Sequence, residues 1–577
     1  MNPRSMLRIR ALAAVGLLIL LLMLPNLIWL ASANGVMVWI EAALLPLILL
    51  SVLFAALGNI PWLACLLLAP FAALAPMEAF YIAQYRHPTS AEIIATLVAT
   101  NPRETREYFG HALIPVLLCI AAGLAVALLA AWWSHRASLR WRHRSRAWVV
   151  TIAVAAPLTT AVVAACSTHG TFTMRGSSGI TTLTSLAGPI EQGYPFGVFQ
   201  RVAQYRAEWN KMRLDVAKLD AFRFHARRVT TLHRRQIYVL VIGESSRRDH
   251  WQLFGYDRAT NPELSRVKNL VRIPRMLTSW PESITAIPLI VTRKPITSIS
   301  PDWKEGSVLR AMQEAGFQTY WISNQLAIGK FDSPVSTYAY EAQHVEWLNH
   351  ASWTAPGSYD EDLIQPLRDA LNDSNGDLFI VLHMMGSHMN YDFRYPASFK
   401  RFTPAYSDDE TSVPTGERIR NSYDNTILYT DHVLAHIIAV LHQSDAVTAL
   451  WFLSDHGETL PTPTCDKDGH GLGSRYDFQV PALFWYSDAY AAAFPQRLAT
   501  LRVNADQRTL SADSFESLID MAGVSFPGHD ESWSLFSPRW HYRPRIVNPM
   551  WQTDYDKADF GKGCEIVLPP KGSATAP

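Results

Sequence analysis

Trp451-Phe-Leu-Ser-Asp-His-Gly-Glu458 is an apolar run that stops abruptly in an acid, an imidazole, a glycine and a second acid. Such a run reads as a buried strand. Packing alone does not explain adjacent metal-ligating side chains at its carboxyl end. Ile237-Tyr-Val-Leu-Val-Ile-Gly-Glu-Ser-Ser246 has the same form, ending in Gly243 and Glu244. Further apolar runs lie at 317–323, 377–383 and 480–486, with helical patterns at 307–315, 362–372 and 424–442 between them. This alternation predicts an α/β domain with a largely parallel central sheet sandwiched by helices. Ligands of such sheets sit outside the carboxyl ends of the strands, where Glu244, His383, Asp455 and His456 all fall.

Upstream of residue 200 the composition is different. Segments 11–31, 37–57, 60–77, 112–133 and 148–166 are nearly free of charge and close to the roughly 20 residues that span a bilayer. The first follows Arg4, Arg8 and Arg10, but it is too long for a cleaved leader and further spans follow at once. The expected organisation is a five-helix transmembrane domain (1–167), an interfacial connector rich in aromatic and basic residues (168–235) and a catalytic domain (236–577). Basic residues before the first span and between the fourth and fifth (Arg136, Arg140, Arg142, Arg144, Arg146) place those loops in the cytoplasm and everything after the fifth span outside it. In a bacterial inner membrane that compartment is the periplasm. Across 577 residues, 49% hydrophobic content and a net charge of +1 exclude a disordered chain and a nucleic-acid partner. Cys65 and Cys119 fall inside spans, whereas Cys465 and Cys564 face an oxidising compartment that permits a disulfide between them.

Carboxylates and an imidazole suit zinc, and Glu244, Asp455 and His456 form such a set. A hydroxyl on the same ion would be activated for covalent catalysis. Ser279-Trp-Pro-Glu-Ser-Ile-Thr-Ala-Ile-Pro288 supplies hydroxyl candidates.

These residues also carry a resemblance. Gly243-Glu-Ser-Ser-Arg-Arg-Asp-His250 with Gly255-Tyr-Asp-Arg-Ala-Thr-Asn-Pro262, then Asn421-Ser-Tyr-Asp-Asn-Thr-Ile-Leu-Tyr-Thr-Asp431 and Ser454-Asp-His-Gly-Glu458, resemble the motifs of the phosphoethanolamine transferases of Gram-negative bacteria. The resemblance implies an alkaline-phosphatase- and sulfatase-like soluble domain. It also implies a Zn2+ site of Glu244, Ser283, Asp455 and His456, with Ser283 as nucleophile where the family usually has threonine and Thr285 as the alternative. His388 and His470 match substrate-contacting or second-zinc histidines. Lys330 matches a lysine on the phosphoethanolamine group, and Asn101 and Glu104 match residues near the lipid donor. The implied donor is phosphatidylethanolamine and the implied acceptor lipopolysaccharide, either core or lipid A. Many relatives flank the nucleophile with a disulfide that this chain lacks, which points to the core-modifying branch.

The residues alone leave alternatives open. Glu244 or Asp455 alone reads equally as a cap or turn residue; their joint occurrence with three histidines favours a site. His383 and His250 read as structural histidines, Arg247 and Arg248 as phosphate contacts or salt-bridge partners, and Glu458 as a neighbour that orients the zinc site. A phosphoglycerol transferase, a lipid phosphodiesterase or a non-catalytic envelope factor would share the fold. The Cys/Ser-x-Pro-x-Arg setting of sulfate-ester hydrolases is absent.

Overall fold

The computed structural model describes residues 3–32, 36–85, 88–89, 94, 113–153, 155, 192–230, 232–298, 305–327, 333–349, 358–408, 412–547 and 553–570. The chain forms two compact units, Met1–Arg206 and Ala207–Pro577.

The first unit is helical. Arg4–Ala31 and Leu113–Arg136 are each long and apolar enough to cross a membrane. Pro61–Leu67 and Ala69–Ala83 make a third candidate only as a pair bent by 44°. Ile40–Ala56 is apolar but shorter. Two or three candidate spans are thus observed among the described residues; the expected fifth segment lies mostly outside them. Leu18, Leu22, Leu68, Ala72 and Ala127 pack inside the unit, while Leu12, Leu17, Leu20, Leu117 and Leu118 face outward. An apolar exterior over an apolar interior is the pattern of a lipid-facing bundle. Gly123 shows how closely the helices approach: a Cβ there would lie 2.2 Å from the Ala72 carbonyl oxygen. Only a residue without a side chain fits.

The second unit is built on a seven-stranded sheet. Its strands are β1 (Gln236–Gly243), β2 (Leu270–Arg272), β3 (Gln318–Ser323), β4 (His344–Trp347), β5 (Leu378–His383), β6 (Val447–Ser454) and β7 (Ala482–Tyr486). The spatial order is β2-β7-β6-β1-β5-β3-β4. The five strands from β6 to β4 run parallel. β7 runs antiparallel to β6, and β2 antiparallel to β7. The sheet is therefore mixed, which corrects the largely parallel expectation at one edge.

Strand alternation divides the core. Tyr238, Leu240 and Ile242 of β1 join Ala449, Trp451 and Leu453 of β6 on one face. Ile237, Val239 and Val241 join Leu450 and Phe452 on the other. Each buried Val, Leu, Ile or Phe among them contributes about 1.5–3 kcal/mol, which favours continuous apolar runs in strands covered on both faces. The helices α1 (Ser283–Val291), α2 (Val308–Glu314), α3 (Ile364–Asp373), α4 (Thr415–His442) and α5 (Ser514–Met521) cover the faces. Leu309 of α2 and Leu518 of α5 pack with Tyr238, whereas Tyr423, Ile427 and Leu434 of α4 pack with Val239. Cys465 and Cys564, 99 residues apart, are joined in a disulfide.

Candidate active site

Register brings the site together. Gly243 of β1 pairs with Ser454 of β6, and Ile242 pairs with His383 of β5, so three central strands end at one level. Glu244 and Asp455 follow directly and lie side by side. The Asp455 amide donates to the Gly243 carbonyl at 3.0 Å, continuing the ladder one residue past the strand.

The geometry around these ends is compact and polar. Glu244, Asp455 and His456 each offer a ligand atom within 4.8 Å of the others, and all three are buried. His456 Nε2 lies 3.2 Å from Glu244 Oε1 and 3.5 Å from Asp455 Oδ2. On its other side His456 Nδ1 lies 2.8 Å from the Gly457 carbonyl oxygen, to which it donates. That bond turns Nε2 toward the carboxylates. Asp455 Oδ1 accepts the amides of Ser245 at 3.2 Å and His456 at 2.6 Å. Asp455 Oδ2 is buried with no hydrogen-bond donor among the described residues. Two buried carboxylates, one with an orphaned oxygen, and an imidazole aimed at both form a donor set suited to a divalent cation of the zinc type.

The electrostatics agree. Burial, and then the charge of Glu244, push the Asp455 carboxyl up to about 7. Glu244 goes the other way: His456 outweighs the cost of its burial and holds it well below the carboxylate range. His456 is likewise held well above the usual imidazole value, because Asp455 and Glu244 outweigh its burial. Carboxylates this close raise one another's proton affinity unless a cation sits between them.

Ser283 is the first residue of α1. Its Oγ donates to Glu244 Oε2 at 3.0 Å and lies 3.2 Å from His456 Nε2. The helix follows from a buried apolar run, Ala286 to Val291, and its first turn leaves amides without intrahelical partners at the Ser283 end. Thr285 turns elsewhere, donating its hydroxyl to the Glu282 carbonyl at 3.1 Å.

The expected histidines lie beside this cluster. The His470 ring is 4.4 Å from that of His456 and 5.9 Å from that of His388. His470 Nδ1 pairs with buried Glu458 at 3.3 Å, and Tyr391 donates to the same carboxylate at 3.1 Å. His456, Glu458 and His470 form a second group able to hold a metal. Burial lowers His388 to about 3 and His383 to about 4. Met389 and Asp468, next in sequence to His388 and near His470, line a cavity of about 1020 Å³ with Tyr391, Tyr406 and Glu417.

Several other residues receive definite positions. His250 pairs with Asp424 at 2.6 Å. Arg247 grips Asp249 through two hydrogen bonds and lies over the Tyr476 ring, while Arg248 donates to the Pro274 carbonyl. Asn425 receives the amides of Arg401 and Phe402. Lys330, Asn101 and Glu104 lie outside the described residues. Sequence reasoning missed Asp360, whose carboxylate accepts the amides of Met385 and Gly386 at 2.7 and 2.8 Å and so fixes the loop leading to His388. No linear signal marks a buried acid that works through a loop far along the chain.

Fold and strand-end cluster define a class, and the comparisons agree with it. The sulfatase family model matches residues 236–524; the chain belongs to the sulfatase family. Within that family it groups with the phosphoethanolamine transferases. The model described as phosphoethanolamine transferase EptA/EptB matches residues 47–191. Phosphoethanolamine transferase EptC of Escherichia coli (strain K12) is 27% identical over 533 residues, covering 89% of this chain and 88% of that protein. Phosphoethanolamine transferase EptA of Escherichia coli O157:H7 is 32% identical over 301 residues, covering 50% of this chain and 54% of its own length. The crystal structure of the C-terminal periplasmic domain of Escherichia coli EptC, in complex with Zn, superposes with a TM-score of 0.52 at 26% identity, covering 57% of this chain and 93% of that one. The chain is a membrane protein with a soluble C-terminal enzyme unit.

Proposed function

We propose that this chain transfers phosphoethanolamine from phosphatidylethanolamine to lipopolysaccharide, on the core or lipid A, through a covalent ester on Ser283. The observation that carries the reading is the Ser283 hydroxyl, set between Glu244 Oε2 and His456 Nε2 at the start of α1. Glu244, Asp455 and His456 would hold zinc, with the Ser283 hydroxyl completing the set. Bound there, zinc supplies a positive charge that lowers the proton affinity of a hydroxyl and offsets charge building on a phosphoryl oxygen.

The remaining chemistry belongs to the protein. The Ser283 O–H already points at Glu244 Oε2, so its proton has a direction in which to leave. Ser283 Oγ forms a bond to phosphorus while the bond to the diacylglycerol oxygen breaks, and that oxygen takes up a proton. The acceptor oxygen then attacks the same phosphorus, the bond to Ser283 breaks, and the serine regains its proton. Amides at the start of α1 favour the negative charge that builds on the phosphoryl oxygens. His470, steadied by Glu458, and His388 face the transferred group. Lys330, Asn101 and Glu104 are assigned to the donor by the resemblance. The cavity beside Met389 and Asp468 offers room for a sugar acceptor.

The setting is a bacterial inner membrane crossed five times within 1–167, with a connector at 168–235 and the catalytic domain 236–577 in the periplasm. The Cys465–Cys564 disulfide supports an oxidising compartment.

The test uses full-length protein and a fluorescent phosphatidylethanolamine. Ser283→Ala should abolish diacylglycerol release while Thr285→Ala retains it; the opposite pattern overturns the nucleophile. Mass spectrometry of lipopolysaccharide should show a gain of phosphoethanolamine, and a gain of glycerol phosphate instead would sink the donor assignment.

A further inference from the structure

Away from the strand ends, Glu263, His432 and His436 each bring one ligand atom within 4.8 Å of the others. The geometry points to a second, separate zinc-class site at these three residues, one that staples the segment around Glu263 to α4.

His432 and His436 are four residues apart on α4, the spacing that puts two imidazoles on one helical face. Their ring centroids are 3.9 Å apart. Glu263 arrives from the segment after β1 and places Oε1 2.8 Å from His432 Nδ1. Its position is fixed by the backbone, since the buried Asp431 carboxylate accepts the amides of Glu263 at 2.8 Å and Leu264 at 3.0 Å. Phe399, with its ring centroid 4.8 Å from that of His432, and Tyr429, stacked at 6.4 Å, hold that imidazole from the other sides. Glu263 and His432 are thus held in place by contacts that do not involve a metal, which is what a preorganised site requires, and His436 is carried beside them by the helix.

A simple ion pair accounts for Glu263 and His432 but not for His436. Two imidazoles in contact repel when both are protonated, and neither then serves as a ligand. A divalent cation shared by two neutral rings and a carboxylate removes that repulsion and uses all three groups. Two nitrogens and one oxygen suit zinc or a neighbouring transition ion; calcium and magnesium take oxygen ligands. His436 is exposed and the other two are half-buried, which leaves a position open to water. The site shares no residue with the proposed catalytic set, so its failure leaves that reading intact.

Full-length protein in detergent, stripped by chelator and titrated with Zn2+ against a chromophoric competitor, tests the inference. The parent should bind one more equivalent than His436→Ala. Glu263→Gln should weaken that equivalent by roughly 10–100-fold. Donor turnover at saturating zinc should be unchanged in both, and zinc should raise the unfolding temperature of the parent more than that of His436→Ala. Because His436 is exposed, its replacement should leave the metal-free unfolding temperature where it was. Equal zinc number and affinity in parent and both variants overturns the site.

Discussion

Gly386→Ala tests whether the loop before His388 sets the position of Glu244. Gly386 has φ +52°, a left-handed conformation that costs a residue with a Cβ about 1–2 kcal/mol. An added Cβ would lie 2.7 Å from the Glu244 carbonyl oxygen, 2.9 Å from its amide nitrogen and 3.2 Å from its Cβ. The two nearest are backbone atoms at a strand end, and the Cβ is fixed to that backbone, so none of them can swing aside as the far end of a flexible side chain would. Nor can the loop retreat freely. Asp360 holds the amides of Met385 and Gly386 from the far side, and Ser387 donates to the Glu244 carbonyl at 2.9 Å. Overpacking of this kind costs about 1–3 kcal/mol, so the combined penalty is roughly 2–5 kcal/mol. A domain with the usual stability of about 5–15 kcal/mol survives that loss, but Glu244 shifts relative to Ser283 and His456. Misplacement on the order of 1 Å can cost about 100-fold in rate. The assay pairs a denaturant midpoint with donor turnover, using Gly376→Ala as control, since a Cβ there meets only Ser374 Oγ at 3.4 Å. A Gly386→Ala protein with parental midpoint and parental turnover would refute the reasoning.

Glu458→Gln removes the charge that holds His470 and Tyr391; turnover should fall roughly 10–100-fold, and unchanged turnover would detach His470 from the chemistry. Cys564→Ser opens a link spanning 99 residues and should cost about 2–5 kcal/mol in a denaturant titration under oxidising conditions. Burial pushes the Glu516 carboxyl up to about 8. With the folded pKa above the unfolded value of about 4.3, the folded state binds the extra proton, so this contribution is complete below about pH 4 and is lost as pH rises toward 8. Unfolding midpoints should therefore fall between those limits by up to about 1.4 kcal/mol per pH unit, and Glu516→Gln should flatten the slope.

Central strands were legible because burial on both faces leaves an uninterrupted apolar run. Strand direction was not. β7 is as apolar as its neighbours, and what reverses it is the connection from β6: residues 455–481 hold the site and only a four-residue helix, Arg475–Phe478, rather than a full crossover. β2 and β4 were missed because three- and four-residue edge strands with exposed positions carry no periodicity to read. In the membrane unit, the third apolar segment reads as one span from composition. Its two helices instead meet at 44°, a bend that an apolar count does not register. Glu244, Asp455 and His456 were visible because they sit immediately after strands. Asp360 was not, since its role comes from a loop that the fold brings to it.

Ser283 and Thr285 show why part of the site stays closed to sequence reasoning. Both hydroxyls lie in the first turn of α1, and each is chemically competent as a nucleophile. Successive residues of a helix rotate by roughly 100°, so positions two apart point about 200° from one another and cannot both face one cluster. Which of them does is set by the phase of the helix, and that phase is fixed by packing: Ile287 and Ile290 join the core with Ile242 and Leu453, while Ala286 and Leu289 pack with Trp280. In this phase Ser283 meets Glu244 and His456, while Thr285 returns its hydroxyl to Glu282. The two assignments therefore exclude each other, and a variant pair that removes one hydroxyl at a time can decide between them. Partial activity in both Ser283→Ala and Thr285→Ala would mean that α1 is not held in one phase.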